Sequence, residues 1–185
     1  MAYRPKTRIW APSALQASVV SVSELKDHLR ITGADEDYLL STYSVAAAVS
    51  VERWTKRLIT VRSSILYLDD LPSGREPIEL PGGAVASVTS VVSDGVAING
   101  ATAIGNSPAL LIPSENWPVV TGDGYPVVIT YQVGMSAIPV DLVHAIKMIV
   151  AEMYLRRSAA EAGTLNCVPI GAEYLMAPHR IWAAA

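Results

Sequence analysis

The sequence of 185 residues has few of the side chains that form covalent or metal cross-links. Cys167 is the only cysteine, which excludes an internal disulfide framework and a cluster of thiolate metal ligands. The histidines His28, His144 and His179 are far apart in the sequence and show neither HExxH nor HxH spacing. We therefore expect no metal site, and we interpret Cys167 as an ordinary buried or loop residue.

The sequence also lacks the motifs of common enzyme and nucleotide-binding sites. It contains no GxSxG nucleophile elbow, no phosphate-binding loop and no dinucleotide fingerprint. Glycines at positions 82, 83, 122 and 124 lie beside prolines between predicted strands, which is typical of turns. Asp69 and Asp70 are adjacent carboxylates, but they lead directly into a proline-containing turn. The sequence therefore indicates neither a catalytic site nor a cofactor.

Positive charge is sparse and scattered. Lys and Arg number 14 against 17 Asp and Glu, so the formal net charge is -3 at pH 7. The nearest approach to a cluster is Arg4, Lys6 and Arg8, in a predicted N-terminal arm that could contact nucleic acid or an acidic protein surface. A solvated arm is the simpler interpretation. The charge pattern argues against sequence-specific nucleic-acid binding.

No apolar run is long enough for a membrane span. Lys147 and Glu152 interrupt the most apolar helical segment before it reaches the roughly 18 residues that a span requires. Residues 1–12 lack the apolar stretch of a secretory signal, so we expect intracellular synthesis. Hydrophobic residues nevertheless make up 51% of the chain. Two explanations stay open: surface buried between subunits, or a composition rich in Ala and Val.

The central predicted element is a helix over residues 139–157. Pro139 suits the first turn, Asp141 places negative charge near the N-terminus, and Arg156 and Arg157 place positive charge near the C-terminus. Apolar residues recur at helical spacing, at Leu142, Val143, Ile146, Ile149, Val150, Met153 and Tyr154. This broad apolar face predicts a core helix that packs against protein.

Two further helices are predicted before it. Ser21 or Ser23 offers an N-cap for a short helix that is predicted to end at Gly33. Glu24 lies three residues after Ser21, as in a capping box. A longer helix is predicted from the acidic residues 35–37 to about residue 57. Residues 1–20 carry no sustained period and are predicted to form an extended arm.

Between the second helix and the central helix the period changes to that of strands. Segments such as SILYL, PIELP and VVITYQV have strand character, and Asp94 with Gly95 predicts a hairpin turn. The predicted fold class is α+β and mainly helical: a bundle of about three helices with an inserted small antiparallel β subdomain and an extended C-terminal tail. The predicted parts are an arm (1–20), a helical core (21–58 and 138–160), a β subdomain (59–137) and a tail (161–185).

The tail contains apolar residues that have no evident partner in the predicted core. Only AEYLM is predicted to form a helical turn, because glycines and prolines interrupt the rest. Two arrangements stay open: the tail docks onto another chain, or it folds back over its own core.

The order of these parts, together with several local strings, resembles the phage head-tail connector proteins of the gp6-like type, which occur in tailed phages and gene transfer agents. The strings PIELPGGAVASVTSV, ENWP, VVITYQVGMSAIPVDLVHAIKMIVAEMYLRR and VPIGAEYLMAPHRIW are similar to successive segments of that family. Its opening pattern falls on Lys26, His28, Leu29, Arg30, Asp35, Glu36, Asp37, Glu52, Trp54, Thr55 and Arg57. The resemblance covers about residues 19–182, and Lys56 stands where the family usually has glycine.

The resemblance implies a structural virion protein and not an enzyme. Such proteins form a ring, commonly dodecameric, beneath the portal protein. They link the DNA-filled head to the stopper or tail-completion protein and leave a channel through which DNA passes without sequence recognition. The implied location is the head-tail interface of the virion, after assembly in the host cytoplasm, without a membrane or a cofactor.

The resemblance also suggests which residues meet partners. The residues expected to dock on the portal are Ile170, Tyr174, Leu175, Met176, Arg180, Ile181 and Trp182. The residues expected to face the channel lumen are Asp35, Glu36 and Asp37. The helices are expected to build the ring wall, and the β subdomain to face the outside of the ring or the next tail component. The competing hypothesis is a small intracellular ligand-binding module or enzyme that uses the β subdomain as its binding surface.

Overall fold

The computed structural model describes residues 8–105, 108–156 and 169–182. They form two compact units: the described parts of Met1–Ala14 and Lys56–Ser136, and those of Leu15–Thr55 and Ala137–Ala185. The first is a β unit and the second a helical unit. Helix accounts for 33% of the structure and strand for 26%. The predicted mixture of helices and antiparallel strands is confirmed, whereas a mainly helical chain is not.

The β unit contains two antiparallel sheets. Its strands are β1 (Arg8–Pro12), β2 (Arg62–Leu68), β3 (Ile78–Leu80), β4 (Val85–Ser93), β5 (Val96–Ala97), β6 (Thr102–Ile104), β7 (Ala109–Ile112) and β8 (Val127–Val133). The five-stranded sheet has the order β1-β2-β8-β4-β5, and the three-stranded sheet has the order β3-β7-β6. The predicted hairpin is confirmed, since Asp94 and Gly95 join β4 to β5 with φ angles of 51° and 79°.

Strand β1 lies within the stretch that the sequence analysis predicted as an arm. It pairs with β2 in antiparallel register, with Trp10 opposite Leu66. Trp10 is half-buried against the core of the β unit, and residues 1–7 lie outside the described residues. The pairing covers an edge of β2 that would otherwise expose a row of backbone groups. The strand RIWAP lacks the alternation of polar and apolar residues that marks a strand in the sequence.

Buried polar contacts fix the connections of the β unit. The fully buried Tyr131 on β8 donates its hydroxyl to the carbonyl oxygen of Pro81 at 3.0 Å. The indole Nε1–H of Trp117 donates to the carbonyl oxygen of Glu76 at 2.8 Å. Gly134, directly after β8, has a φ of +142°, and a Cβ atom there would lie 2.2 Å from the carbonyl oxygen of Thr60. Only glycine allows this close backbone approach.

The helical unit begins with α1 (Val22–Leu29), whose capping box of Ser21 and Glu24 is confirmed. The helix ends at Arg30, which adopts the left-handed conformation, and not at Gly33 as predicted. Helix α2 (Asp37–Thr55) is followed by Lys56, whose φ is 60°. Helix α3 (Val140–Leu155) is the predicted central helix, and Arg157, which the sequence analysis placed near its end, lies outside the described residues.

Helix α4 (Ile170–Met176) and the 3-10 turn Ala177–His179 complete the helical unit. These residues fall in the predicted extended tail, so the unit has four α-helices in its described part instead of about three. Helix α4 forms because Ala172 and Met176, one turn apart, are fully buried and because the helix packs on α3. The face that α3 buries comprises Leu142, Ala145, Ile146, Ile149 and Val150.

Candidate docking surface

Helix α4 has one buried face and one exposed face. Ala172 and Met176 are completely buried, and Gly171 allows close approach to Met148 on α3. On the opposite face, Ile170 is 60% exposed and Tyr174 is 77% exposed. Ile170 and Tyr174 are four residues apart, so they lie next to each other on the helix surface. The helix therefore presents an apolar pair to solvent while its other face belongs to the core of the unit.

Two contacts fasten the chain after α4 to other helices of the unit. The Nε2 atom of His179 lies 2.5 Å from the carboxylate oxygen Oδ2 of Asp141, in the first turn of α3. The backbone N–H of Ile181 donates to the carbonyl oxygen of Thr55, the last residue of α2, at 2.9 Å. Residues 179 and 181 are thus both held, so the position of Arg180 between them is defined.

The side chain of Arg180 lies between two tryptophan rings. Its guanidinium carbon is 5.0 Å from the ring centroid of Trp54, on α2, and 4.5 Å from that of Trp182. Both distances fall within the range in which an aromatic ring attracts a cation. Trp182 is 69% exposed, whereas Trp54 and Arg180 are half-buried. The stacked group therefore forms part of the surface at this end of the unit.

The contact with His179 favours the ionised form of the Asp141 carboxylate. The hydrogen bond from His179 lowers the pKa of the Asp141 carboxyl below its ordinary value. Partial burial opposes this effect, while the charge of the imidazole and the backbone N–H of Leu142, at 3.0 Å, act in the same direction as the hydrogen bond. Asp141 therefore serves both as an acidic residue at the N-terminus of α3 and as the acceptor for the turn after α4.

The residues predicted to dock on the portal fall into three groups. Ile170, Tyr174 and Trp182 are exposed; Leu175, Arg180 and Ile181 are half-buried; Met176 is buried in the core of its own unit. Of the two arrangements considered for the tail, folding back is the one seen for residues 169–182. This arrangement leaves three large apolar side chains of the segment open to a partner.

The acidic residues predicted to face a lumen lie before and at the start of α2. The ammonium group of Lys26 is 2.7 Å from the carboxylate of Asp37, and the hydroxyl of Tyr154 donates to the carboxylate of Glu36. Asp35 is exposed. Glu36 and Asp37 thus take part in contacts between helices, which the sequence alone did not indicate.

The histidines do not form a metal centre. The rings of His28 and His144 meet edge to face with their centroids 6.0 Å apart, while His179 contacts Asp141. Partial burial lowers the pKa of His28, and the charges of His144 and Lys147 lower it further. Across residues 8–105, 108–156 and 169–182, no three His, Cys, Asp or Glu side chains come close enough to share a metal ion. Cys167 lies outside these ranges.

The sequence analysis did not predict that Trp54 and Asp141 contact the C-terminal segment. Trp54 was assigned only to the family pattern, and Asp141 only to the start of the central helix. Arg180 lies two residues before Trp182, which is a weak signal that these two side chains stack on each other. The sequence contains no signal that pairs Trp54 or Asp141 with a position near the C-terminus.

Comparison with other proteins gives a structural match only. No protein-family model matches the sequence, and no curated protein is significantly similar to it. None of the helices in the described ranges has both the length and the apolar content needed to cross a membrane.

The structure is similar to chains of gene transfer agent particles. The match to the neck of an empty particle, computed with C6 symmetry, has a TM-score of 0.76 and 25% sequence identity, and covers 94% of this chain and 97% of that chain. The match to the neck of a native particle, computed with C12 symmetry, has a TM-score of 0.73 and 23% identity over the same shares. A chain in the virion of the native particle matches with a TM-score of 0.71 and 25% identity. The chain therefore has the fold of a neck protein, and these matches are structural components and not enzymes.

Proposed function

We propose that this protein is a head-tail connector of the gp6-like type, a structural protein in the neck of a virus-like particle. The observation that carries the proposal is the extent of the structural match, which covers 94% of this chain and 97% of the neck chain. Both units of the fold are included in a match of that extent, so the likeness is not confined to one common module. The order of sequence segments that resembles the connector family supports the same proposal.

A homo-oligomeric ring is the proposed assembly. The neck structures that resemble this chain were computed with C6 and C12 symmetry, which suits a ring of twelve copies. The chain is rich in apolar residues, and its described part exposes several large ones that a neighbouring subunit could cover. On the helical unit these are Tyr38, Val140, Leu155, Ile170, Tyr174 and Trp182.

The portal protein is the proposed partner of the C-terminal segment. Ile170, Tyr174 and Trp182 are exposed and apolar, as expected for residues that become buried when a partner docks. Leu175, Arg180 and Ile181 lie beside them, and Met176 keeps α4 attached to its own unit. The stopper or tail-completion protein is the proposed partner on the opposite side of the ring.

DNA is proposed to pass through the ring without being recognised. The net charge of -3 suits a channel that does not retain phosphates, because each Lys or Arg contact would add to a salt-dependent attraction. Asp35 is the exposed member of the acidic group proposed to line the channel. The predicted helical core, residues 21–58 and 138–160, is proposed to form the ring wall, with the predicted β subdomain, residues 59–137, inserted in it.

The competing hypothesis, a small ligand-binding module or enzyme, is not favoured. The structures that resemble this chain are structural components of a particle neck. The connector proposal also implies a location in the virion and assembly in the host cytoplasm.

The molar mass of the purified protein, measured by light scattering with and without the portal protein encoded beside its gene, tests the proposal. A ring-sized species, formed alone or on addition of portal, is the expected result. A monomer that portal does not change would contradict the connector hypothesis and would return attention to ligand screening.

Point variants can test the docking segment more cleanly than a deletion. Removing residues 163–185 would take Ala172 and Met176 out of the core of the helical unit, so loss of binding could reflect misfolding. The double variant Ile170→Ser/Tyr174→Ser changes only exposed side chains and should abolish association with portal-bearing heads. Val119→Ser, at an 87% exposed position of the β unit, is the matched control and should associate normally.

A further inference from the structure

The side chain of Arg180 is held in place by aromatic rings, but its positive charge is not balanced by an ion pair among the described residues. Its guanidinium contacts the rings of Trp54 and Trp182, and no carboxylate of the described residues forms an ion pair with it. Lys26, Lys147 and Arg156 are each ion-paired within their own unit. Arg180 therefore differs from these cations, because its side chain is held by aromatic rings and its charge remains available.

The neighbouring contacts make this arginine pre-organised. His179 is tied to Asp141, and the backbone of Ile181 is tied to Thr55, so the segment on both sides of Arg180 is fixed. Ring contacts restrict the long side chain as well, which lowers the entropy lost when it binds a ligand. A guanidinium that stacks on aromatic rings can still donate N–H groups in its own plane, where a carboxylate accepts two parallel hydrogen bonds.

We propose that Arg180 is a receptor for a side-chain carboxylate, Asp or Glu, on the surface of the portal protein; this inference rests on the proposed connector function. The exposed ring of Trp182, whose centroid lies 4.5 Å from the guanidinium carbon, would cover one side of the ion pair and exclude water from it. The pair then fixes the orientation of the docked segment, while burial of the apolar residues supplies most of the affinity.

A protein carboxylate fits this site better than a DNA phosphate. Arg180 is the only Lys or Arg in residues 158–185, whereas DNA-binding surfaces gather several positive charges. Glu173 is exposed on α4 and Asp141 is half-buried on α3, so the surface of this segment lacks the run of positive charges that a DNA backbone requires. A single positive charge next to apolar side chains is suited to one carboxylate in a protein interface.

The experiment measures the Kd for purified portal with wild type, Arg180→Gln and Arg180→Lys, each at low and high salt. The charge-assisted contact predicts that Arg180→Gln binds roughly 10- to 100-fold more weakly. Arg180→Lys keeps the charge but not the planar fork, so it should fall between wild type and Arg180→Gln. Arg53→Gln removes an exposed arginine of α2 that is not part of the stack and should bind like wild type.

Each outcome decides between the inference and its alternatives. If wild type does not bind portal, the proposal that the C-terminal segment docks on portal fails, and the inference fails with it. If wild type binds and Arg180→Gln binds equally well, only the inference is overturned. A parallel binding measurement with duplex DNA tests phosphate as the alternative ligand. If Arg180→Gln loses DNA binding but keeps portal binding, the inference of a portal carboxylate is also overturned. Thermal midpoints and near-ultraviolet circular dichroism verify that each variant is folded. If Arg180→Gln proves unstable, the comparison of wild type with Arg180→Lys, which preserves the cation, is used instead.

Discussion

His179 and Asp141 join the turn after α4 to the first turn of α3, with 2.5 Å between imidazole Nε2 and carboxylate Oδ2. The contact connects two segments that are 38 residues apart in the sequence. Together with the buried Met176, it keeps the segment that carries the exposed apolar residues in one place. A docking segment held in this way loses little conformational entropy when a partner covers it.

The Asp141 contact should make stability depend on pH in the acidic range. The folded-state pKa of Asp141 is lowered, chiefly by the hydrogen bond from His179, so ionised Asp141 stabilises the folded protein above its unfolded-state pKa of about 4. This contribution is lost as the pH falls through the lowered folded-state pKa. Because both side chains are partly exposed, we expect Asp141→Asn to cost at most about 1 kcal/mol, a thermal-midpoint decrease of roughly 2–4 °C near neutral pH.

Thermal unfolding of wild type and Asp141→Asn, followed by circular dichroism from about pH 6 down to pH 2, tests this expectation. The two midpoints should converge as the pH decreases. If the difference between the two thermal midpoints stays constant over the whole pH range, the ionised carboxylate of Asp141 is not the source of the stabilisation.

Tyr131→Phe should destabilise the β unit by about 1–2 kcal/mol. Tyr131 is fully buried, and burial raises the pKa of its hydroxyl, which donates to Pro81. Removing the hydroxyl leaves the carbonyl of the half-buried Pro81 without this donor. Urea denaturation measures the loss, and Tyr38→Phe, at an 87% exposed position, should be nearly neutral. Equal effects of the two substitutions would contradict the assigned hydrogen bond.

Gly134→Ala should be among the most damaging single substitutions in the β unit. The added Cβ would lie 2.2 Å from the carbonyl oxygen of Thr60, so the backbone itself would have to move. We expect a loss of more than about 3 kcal/mol or failure to fold. Gly124→Ala is the matched control, since its φ is also positive at +82° but nothing lies within 4 Å of the added atom. Its expected cost is about 1–2 kcal/mol, from backbone strain alone. Similar losses in both variants would argue against the close approach.

Met176→Ala tests whether the folded-back segment stabilises its own unit. Met176 is completely buried, so truncation should cost roughly 2–5 kcal/mol through lost burial and the cavity left behind. Tyr174→Ala, on the exposed face of the same helix, should cost less than about 1 kcal/mol. Denaturant unfolding compares the free energy of unfolding of the two variants. If Met176→Ala leaves it unchanged, the packing of α4 does not stabilise the helical unit.

Elements with local chemical signals could be predicted from the sequence. The capping box of Ser21 and Glu24 marks the start of α1, and Asp94 with Gly95 marks the hairpin, because each signal operates within a few residues. The end of α1 was misplaced because a glycine is only a preference. The backbone N–H of Ile31 instead bonds to the carbonyl oxygen of Lys26 at 3.0 Å and closes the turn around Arg30.

Contacts between distant segments could not be predicted in the same way. Strand β1 exists because β2 provides an edge, and the tail folds back because α2 and α3 provide Thr55 and Asp141. Apolar spacing shows that a residue such as Met176 needs a partner, but it does not identify that partner. The sequence therefore predicted the apolar residues of the tail and left its two possible arrangements unresolved.

Lys56→Gly should stabilise the protein, which is unusual for a substitution to glycine. Lys56 follows α2 with a φ of 60°, the conformation that glycine adopts at many helix ends. A side chain in this conformation costs about 1–2 kcal/mol, while glycine costs somewhat more entropy on folding, so we expect a net gain of about 0.5–1 kcal/mol. Lys56→Ala controls for the lost charge, because it removes the exposed ammonium group and keeps the strain. Thermal midpoints should rise for Lys56→Gly and not for Lys56→Ala. If both rise equally, the gain comes from the charge; if neither rises, the left-handed conformation costs the chain nothing at this position, and the end of α2 is determined by its packing alone.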